Sequence, residues 1–132
     1  YQPDCAKYAV ESDVPQIYEL LLENFDLQAD HIPSEDDLLQ IVKEKEVMIY
    51  KIGDKIECFF IYRREGKKLY CAFSYNHASA DILYSIERRV KEIEYEENGI
   101  KMHYAWFNAE NKKALRRNAW KDTKIRDYIF VK

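Results

Sequence analysis

The chain is poor in the residues that interrupt regular structure: three glycines and three prolines stand among 132 residues. Long elements joined by few loops are therefore expected. No stretch is of low complexity and no segment recurs at a fixed period, which excludes solenoid and fibrous organisation. No apolar run approaches the ~18 residues of a membrane-spanning helix, and no signal peptide is visible. Cysteine is scarce too. Cys5, Cys58 and Cys71 are odd in number and form no Cys-x-x-Cys pair, so buried reduced thiols in a cytoplasmic protein are expected rather than a disulfide framework. There is no His-x-x-x-His or His-Glu-x-x-His spacing, no P-loop, no dinucleotide glycine motif and no serine nucleophile elbow. A metal site is not expected, since His31 and His103 are spaced too irregularly to argue for one. Charge of one sign is also missing: 21 basic residues face 24 acidic ones, a net charge of -3. That balance gives no electrostatic ground for a nucleic-acid or anionic-membrane partner.

What the chain does hold is a hydrophobic fraction of 47% and eleven tyrosines. The length and composition are those of one domain with one core over 1–132. Tyr1 rather than Met opens the sequence, as expected of a piece of a longer protein. Tyrosine is amphipathic, so half-buried strands and a surface able to stack or hydrogen-bond are expected.

Residues 7–10 read as a first strand. Ser12 is placed to cap a helix with Pro15 in its first turn, and Val14, Ile17, Leu20, Leu21 and Phe25 follow at helical spacing. After a break at Asp30-His31-Ile32-Pro33, Ser34 caps a second helix, with Glu35, Asp36 and Asp37 facing the positive end of its dipole and Leu38, Ile41 and Val42 as its buried stripe. Residues 47–52 and 55–63 form a hairpin about Gly53-Asp54, and 68–75 adds a third strand after the turn Glu65-Gly66-Lys67. Ser79 caps a third helix carrying Ile82, Leu83, Ile86, Val90 and Ile93, which Asn98-Gly99 ends. A strand over 100–107 follows. Strand, long helix, strand implies a crossover and a parallel neighbour. A short helix over 111–118 and a strand over 126–131 close the chain. The fold class is α/β (α+β): a mixed central sheet flanked by helices, in the order β-α-α-β-β-β-α-β-α-β.

Several segments resemble the GNAT N-acetyltransferase superfamily. Ser12-Asp13-Val14-Pro15-Gln16-Ile17-Tyr18 looks like the family's first-helix start. Asp30-His31-Ile32-Pro33-Ser34 and Arg126-Asp127-Tyr128-Ile129-Phe130-Val131 look like segments of a bacterial GNAT subgroup. Gly53-Asp54-Lys55-Ile56 resembles the family's hairpin, and Trp106-Phe107-Asn108-Ala109-Glu110-Asn111 its fifth-strand exit. The resemblance implies transfer of an acetyl or other acyl group from acyl-CoA to a small-molecule or protein amine. It also implies a fourth strand, here including Phe73 and Tyr75, whose backbone pairs with the pantetheine, and a following helix start whose amides hold the pyrophosphate.

That helix start is Ala78-Ser79-Ala80-Asp81-Ile82-Leu83. The family has Arg or Gln where Ala78 stands, and glycines that are absent here, while Asp81 brings a negative charge to the proposed phosphate site. Asn108 and Asn111 match the family's fifth-strand exit. The tyrosine expected on the next helix is replaced by Arg116 or Asn118. His77 and Tyr75 are candidates for proton transfer, with Tyr70 and Glu57 also in position, and Lys112, Lys113, Arg116 and Arg117 form a basic cluster. The departures leave a second reading open: a GNAT-fold binding module without catalysis, as a homodimer or a fused domain. An unrelated α+β domain of the same element order is a third.

Overall fold

The computed structural model describes residues 5–26 and 30–105. The chain begins with β1, Lys7–Tyr8, and a 3-10 turn at Glu11–Asp13. Two helices follow, α1 at Val14–Asn24 and α2 at Glu35–Lys43. A meander of β2 (Val47–Ile52), β3 (Lys55–Glu65) and β4 (Lys68–Asn76) leads into α3 (Ala80–Glu97) and β5 (Met102–Tyr104). The sheet order is β1-β2-β3-β4-β5. The first three pairings are antiparallel, and β4 pairs with β5 in parallel.

The elements follow from local chemistry. The Ser34 hydroxyl accepts from the Asp37 amide, and Glu35, Asp36 and Asp37 occupy the first turn of α2. Gly53 and Gly66 turn the two hairpins at φ +60° and +64°, a region that glycine enters without steric cost. Gly99 does the same at φ +66° just beyond α3. The start of α1 differs from expectation. Ser12 lies within the 3-10 turn, and Asp13 is the N-cap. The Asp13 carboxylate reaches back to accept the Val10 amide at 2.8 Å and pairs with Lys51. It closes the turn before the helix that Ser12 was expected to begin. β5 is also shorter than expected, and Ile100 is buried in the core rather than paired in a strand. The helix over 111–118 and the strand over 126–131 lie outside the described residues.

The sheet is covered on both faces. On one face Ile17 and Leu21 of α1 and Leu38, Ile41 and Val42 of α2 pack on Val47, Ile49, Ile56, Phe59 and Ile61. On the other, Ile82, Leu83, Ile86 and Val90 of α3 pack on Met48, Cys58, Phe60, Tyr62 and Leu69. Alternation along β3 sends successive residues to opposite faces, which is why its middle is buried throughout.

Besides Asp13, the carboxylates of Glu46 and Glu94 are buried, at 2% and 0% exposure. Each is answered by an arginine of β3. Glu46 accepts from Arg63 Nε at 3.1 Å and from the Arg64 amide at 2.6 Å. The Arg64 guanidinium pairs with both oxygens of Glu94 and donates to the carbonyls of Glu44 and Lys45. Removing one partner of a buried pair strands a charge at a cost of about 3–5 kcal/mol. Urea denaturation of Arg64→Met is expected to show a loss of about that size. The double variant Arg64→Met/Glu94→Met should recover part of it.

Candidate functional site

β4 and β5 pair only at Lys68–Met102, Leu69–His103 and Tyr70–Tyr104. Beyond Tyr70, β4 continues to Asn76 with its outer edge unpaired among the described residues. A strand edge presents a row of backbone donors and acceptors that a neighbouring strand or a ligand can use. The edge ends at the first turn of α3, where amides lack intrahelical partners. The end of β4 and a helix start thus meet at the carboxyl end of a parallel strand pair, the usual place for a ligand in such sheets.

A bulge shapes this strand. The register steps from Ile61–Phe73 to Tyr62–Cys71, so Ala72 is an extra residue on β4. It resolves an irregular spacing in the sequence. Leu69 and Cys71 pack on the α3 side, while Phe73 and Tyr75 pack on the α1–α2 side. The inserted residue lets Tyr70, Phe73 and Tyr75 share one aromatic face despite their uneven spacing. Phe73 meets Phe25 edge-on at 5.1 Å, and Tyr75 stacks on Phe59 at 5.4 Å. Tyr70 lies against Tyr104 at 5.2 Å, and the Tyr104 hydroxyl donates to Glu65. Burial raises the Tyr70 phenol above its ordinary value, and burial with Glu65 close by takes Tyr104 to about 12. Both are neutral hydroxyls at neutral pH, able to orient a group but not to act as anionic bases.

The helix start is partly closed by its own side chains. Asn76 Oδ1 accepts the Ala78 amide at 3.0 Å, and Asn76 Nδ2 donates to the Ser79 carbonyl at 3.1 Å. Ser79 Oγ accepts the Ile82 amide at 3.3 Å. Asn76 was not among the residues expected here, although an Asn two positions before an amide it can accept is a recognised turn signature.

No protein-family model matches the chain, and no curated protein matches it. Solved structures do. A protein from Clostridium difficile 630 described as a possible acetyltransferase is 17% identical, covers 96% of this chain and 97% of its own, and superposes with a TM-score of 0.62. An aminoglycoside acetyltransferase from an uncultured soil metagenomic sample, solved with trehalose, is 14% identical over 96% of this chain and 95% of its own, TM-score 0.65. A diaminobutyrate acetyltransferase from Paenibacillus lautus, solved with L-2,4-diaminobutyric acid and coenzyme A, is 12% identical over 86% of this chain and 71% of its own, TM-score 0.64. The fold is that of the GNAT acetyltransferases. At these identities the likeness is one of fold.

Within the GNAT fold the expected site residues separate into groups. Phe73, Tyr75, His77, Ala78, Ser79, Ala80 and Asp81 follow one another along the end of β4 and into α3, and all from His77 to Asp81 are exposed. Ile82 and Leu83 are buried, and their amides are both bonded to Ser79. Glu57 stands on β3 beside this end, its carbonyl accepting the His77 amide at 2.7 Å. Asn108, Asn111, Arg116, Asn118 and the lysines at 112 and 113 lie outside the described residues. Among the described residues no group of three or more His, Cys, Asp or Glu could hold a metal ion. No helix among them is long and apolar enough to cross a membrane.

On the α3 side, the Tyr95 hydroxyl and His103 Nδ1 are 2.7 Å apart, linking α3 to β5. Burial, helped by Lys91, holds His103 below its ordinary 6.5. The folded protein therefore favours neutral His103. This contribution to stability is present above pH 6.5 and is lost as pH falls from there towards the depressed folded value. Denaturation midpoints across pH 7.5–4.5 are expected to fall on the acid side, and His103→Asn should flatten the part of that fall near pH 6 (about the imidazole range).

Proposed function

We propose that the chain is an N-acyltransferase that moves an acetyl or other acyl group from CoA to an amine. What supports this reading is the GNAT fold itself, in which β4 runs on past its described pairs with β5 to the start of α3. The backbone of residues 71–76 suits the amide-rich pantetheine arm, and the start of α3 suits the pyrophosphate. When bound, acyl-CoA supplies an activated thioester carbonyl, whose C–S bond breaks as the C–N bond forms and whose thiol leaves with a proton.

The chain's own part is positioning and proton handling. Tyr70, Phe73 and Tyr75 make the aromatic wall on the α1–α2 side, where the acceptor approaches. His77, exposed at the exit of β4, takes the proton from the entering ammonium, and an imidazole is the side chain suited to that task near neutral pH. Holding the reactants together supplies most of the rate. The free thiols of Cys5, Cys58 and Cys71 suit a reducing cytoplasm. Burial takes the Cys58 and Cys71 thiols up to about 12, so neither is a thiolate nucleophile at neutral pH.

One observation favours a second reading, a GNAT-fold binding module without catalysis. Asn76 and Ser79 occupy amides that an anion would need, and Asp81 adds a negative charge in the first turn. Calorimetric titration with acetyl-CoA separates the two. Binding is expected at sub-millimolar concentration, and its absence at millimolar ligand would sink the enzyme reading. Asp81→Gly should tighten acetyl-CoA about five-fold, since one like charge about 4 Å away in a solvated site costs about 1 kcal/mol. In a thiol-release assay His77→Gln should lower kcat/KM for the amine about a hundred-fold and leave acetyl-CoA affinity unchanged.

A further inference from the structure

Asn98 is the only asparagine of the chain that a glycine follows. The pair stands just beyond α3, and both residues are exposed among the described residues. The main-chain nitrogen after an asparagine can close a five-membered ring on the side-chain carbonyl carbon. A Cβ on the following residue ordinarily hinders that approach, and glycine has none. The space about Gly99 is open as well, since even an added Cβ would meet nothing within 4 Å. Its amide has no acceptor among the described residues, so attack by that nitrogen gives up no hydrogen bond.

What opposes ring closure is the helix cap. Asn98 Nδ2 donates to Glu94 Oε2 at 2.8 Å, and the Asn98 amide donates to the Glu94 carbonyl at 3.2 Å. Asn98 holds ψ at 6°, and this torsion must turn before the Gly99 nitrogen faces the side-chain carbon. Helix ends fray, and this end is exposed from Tyr95 to Gly99. Opening the cap is therefore a local event that leaves the core in place.

We propose that Asn98 is a site of spontaneous deamidation, and that the change loosens the clamp of Arg64 on Glu94. The Gly99 nitrogen attacks Cγ of Asn98, and its bond to Cγ forms as the bond from Cγ to Nδ2 breaks. The proton of the Gly99 amide ends on the leaving nitrogen, which departs as ammonia. Water then opens the succinimide at one carbonyl or the other and leaves aspartate or isoaspartate. Water is the only co-reactant, so no partner is needed.

The consequence follows from what Asn98 touches. Glu94 is fully buried, and it is met by the Arg64 guanidinium and by the Asn98 amide group. Deamidation replaces that donor with a carboxylate and sets a second negative charge against the first. Isoaspartate also lengthens the main chain by a methylene just before Ile100. That residue is buried, and its amide bonds the Glu94 carbonyl at 3.1 Å. The next amide, of Lys101, bonds the Lys67 carbonyl at 2.8 Å as the chain enters β5. Both the clamp and the passage from α3 to β5 therefore feel the change.

This goes beyond acyl transfer and stands whether or not acyl-CoA binds. The purified chain is aged in mildly alkaline and in mildly acidic buffer and followed by peptide mapping and ammonia release. Asn98 is expected to convert before any other asparagine, and faster in the alkaline buffer, because the attacking nitrogen must lose its proton. The aged fraction, separated by anion exchange, should show a folding equilibrium constant in urea about ten-fold below that of fresh protein. Asn98→Asp should show the same loss from the outset. Asn98→Gln, which would have to close a six-membered ring, should keep its urea midpoint through the same ageing. Asn98 left intact while another asparagine converts, or equal rates in the two buffers, overturns the inference. So does an aged fraction or an Asn98→Asp variant as stable as fresh protein, or Asn98→Gln losing stability at the rate of the unaltered chain.

Discussion

The pairing of Arg64 with Glu94 is the contact on which the arrangement of the site depends. Glu94 stands near the end of α3 and is fully buried, and Arg64 leaves β3 where that strand emerges from the core. Two more donors of the same guanidinium hold the carbonyls of Glu44 and Lys45, in the turn from α2 into β2. A single side chain therefore joins helix, sheet and the preceding turn. An ammonium could not do this, because the task needs several donors in a fixed plane. The clamp lies at the end of α3 far from Ser79. It fixes the tilt of a rigid rod, and the orientation of the far end follows. The first turn of α3 is thus placed by a contact more than three helical turns away, at Glu94.

The two bulges divide the remaining work. Ala72 inserts into β4 just past the last pair with β5, so the aromatic side chains before and after it share a face. Glu57 inserts into β3 in its pairing with β2. Each costs ladder hydrogen bonds that a regular strand would keep, which marks them as local departures with a structural consequence at the carboxyl end of β4.

Periodicity made the helices and the meander legible. Ser34, Leu38, Ile41 and Val42 say nearly all there is to say about α2, and Ser79 with the apolar stripe to Val90 does the same for α3. The parallel crossover could be read because an eighteen-residue helix between strands permits little else. What sequence could not show was register. The bulges at Ala72 and Glu57 have no composition of their own, since each arises from how two strands pair. The start of α1 was misplaced for a related reason. Asp13 and Ser12 both suit a helix start, and the contacts of Asp13 with the Val10 amide and with Lys51, distant in sequence, become visible only in the fold. Asn76 was overlooked because its two hydrogen bonds become visible only once the chain turns from β4 into α3.

The helix start brings these strands of reasoning to a balance of charges. A helix of this length presents about half a positive charge at its first turn. In α3 that charge is met from within: Ser79 takes one amide, Asn76 another, and Asp81 adds a full negative charge. An incoming pyrophosphate would have to displace neutral oxygens, which is cheap, and tolerate a carboxylate, which is less so. Asp81 is exposed, so solvent and salt screen it. The balance thus tilts with ionic strength. At low salt the repulsion is felt across the whole anion. Near physiological salt it shrinks towards the energy of a single weak contact. The charge at Asp81 is therefore a salt-dependent cost to an anion at this helix start rather than a fixed barrier.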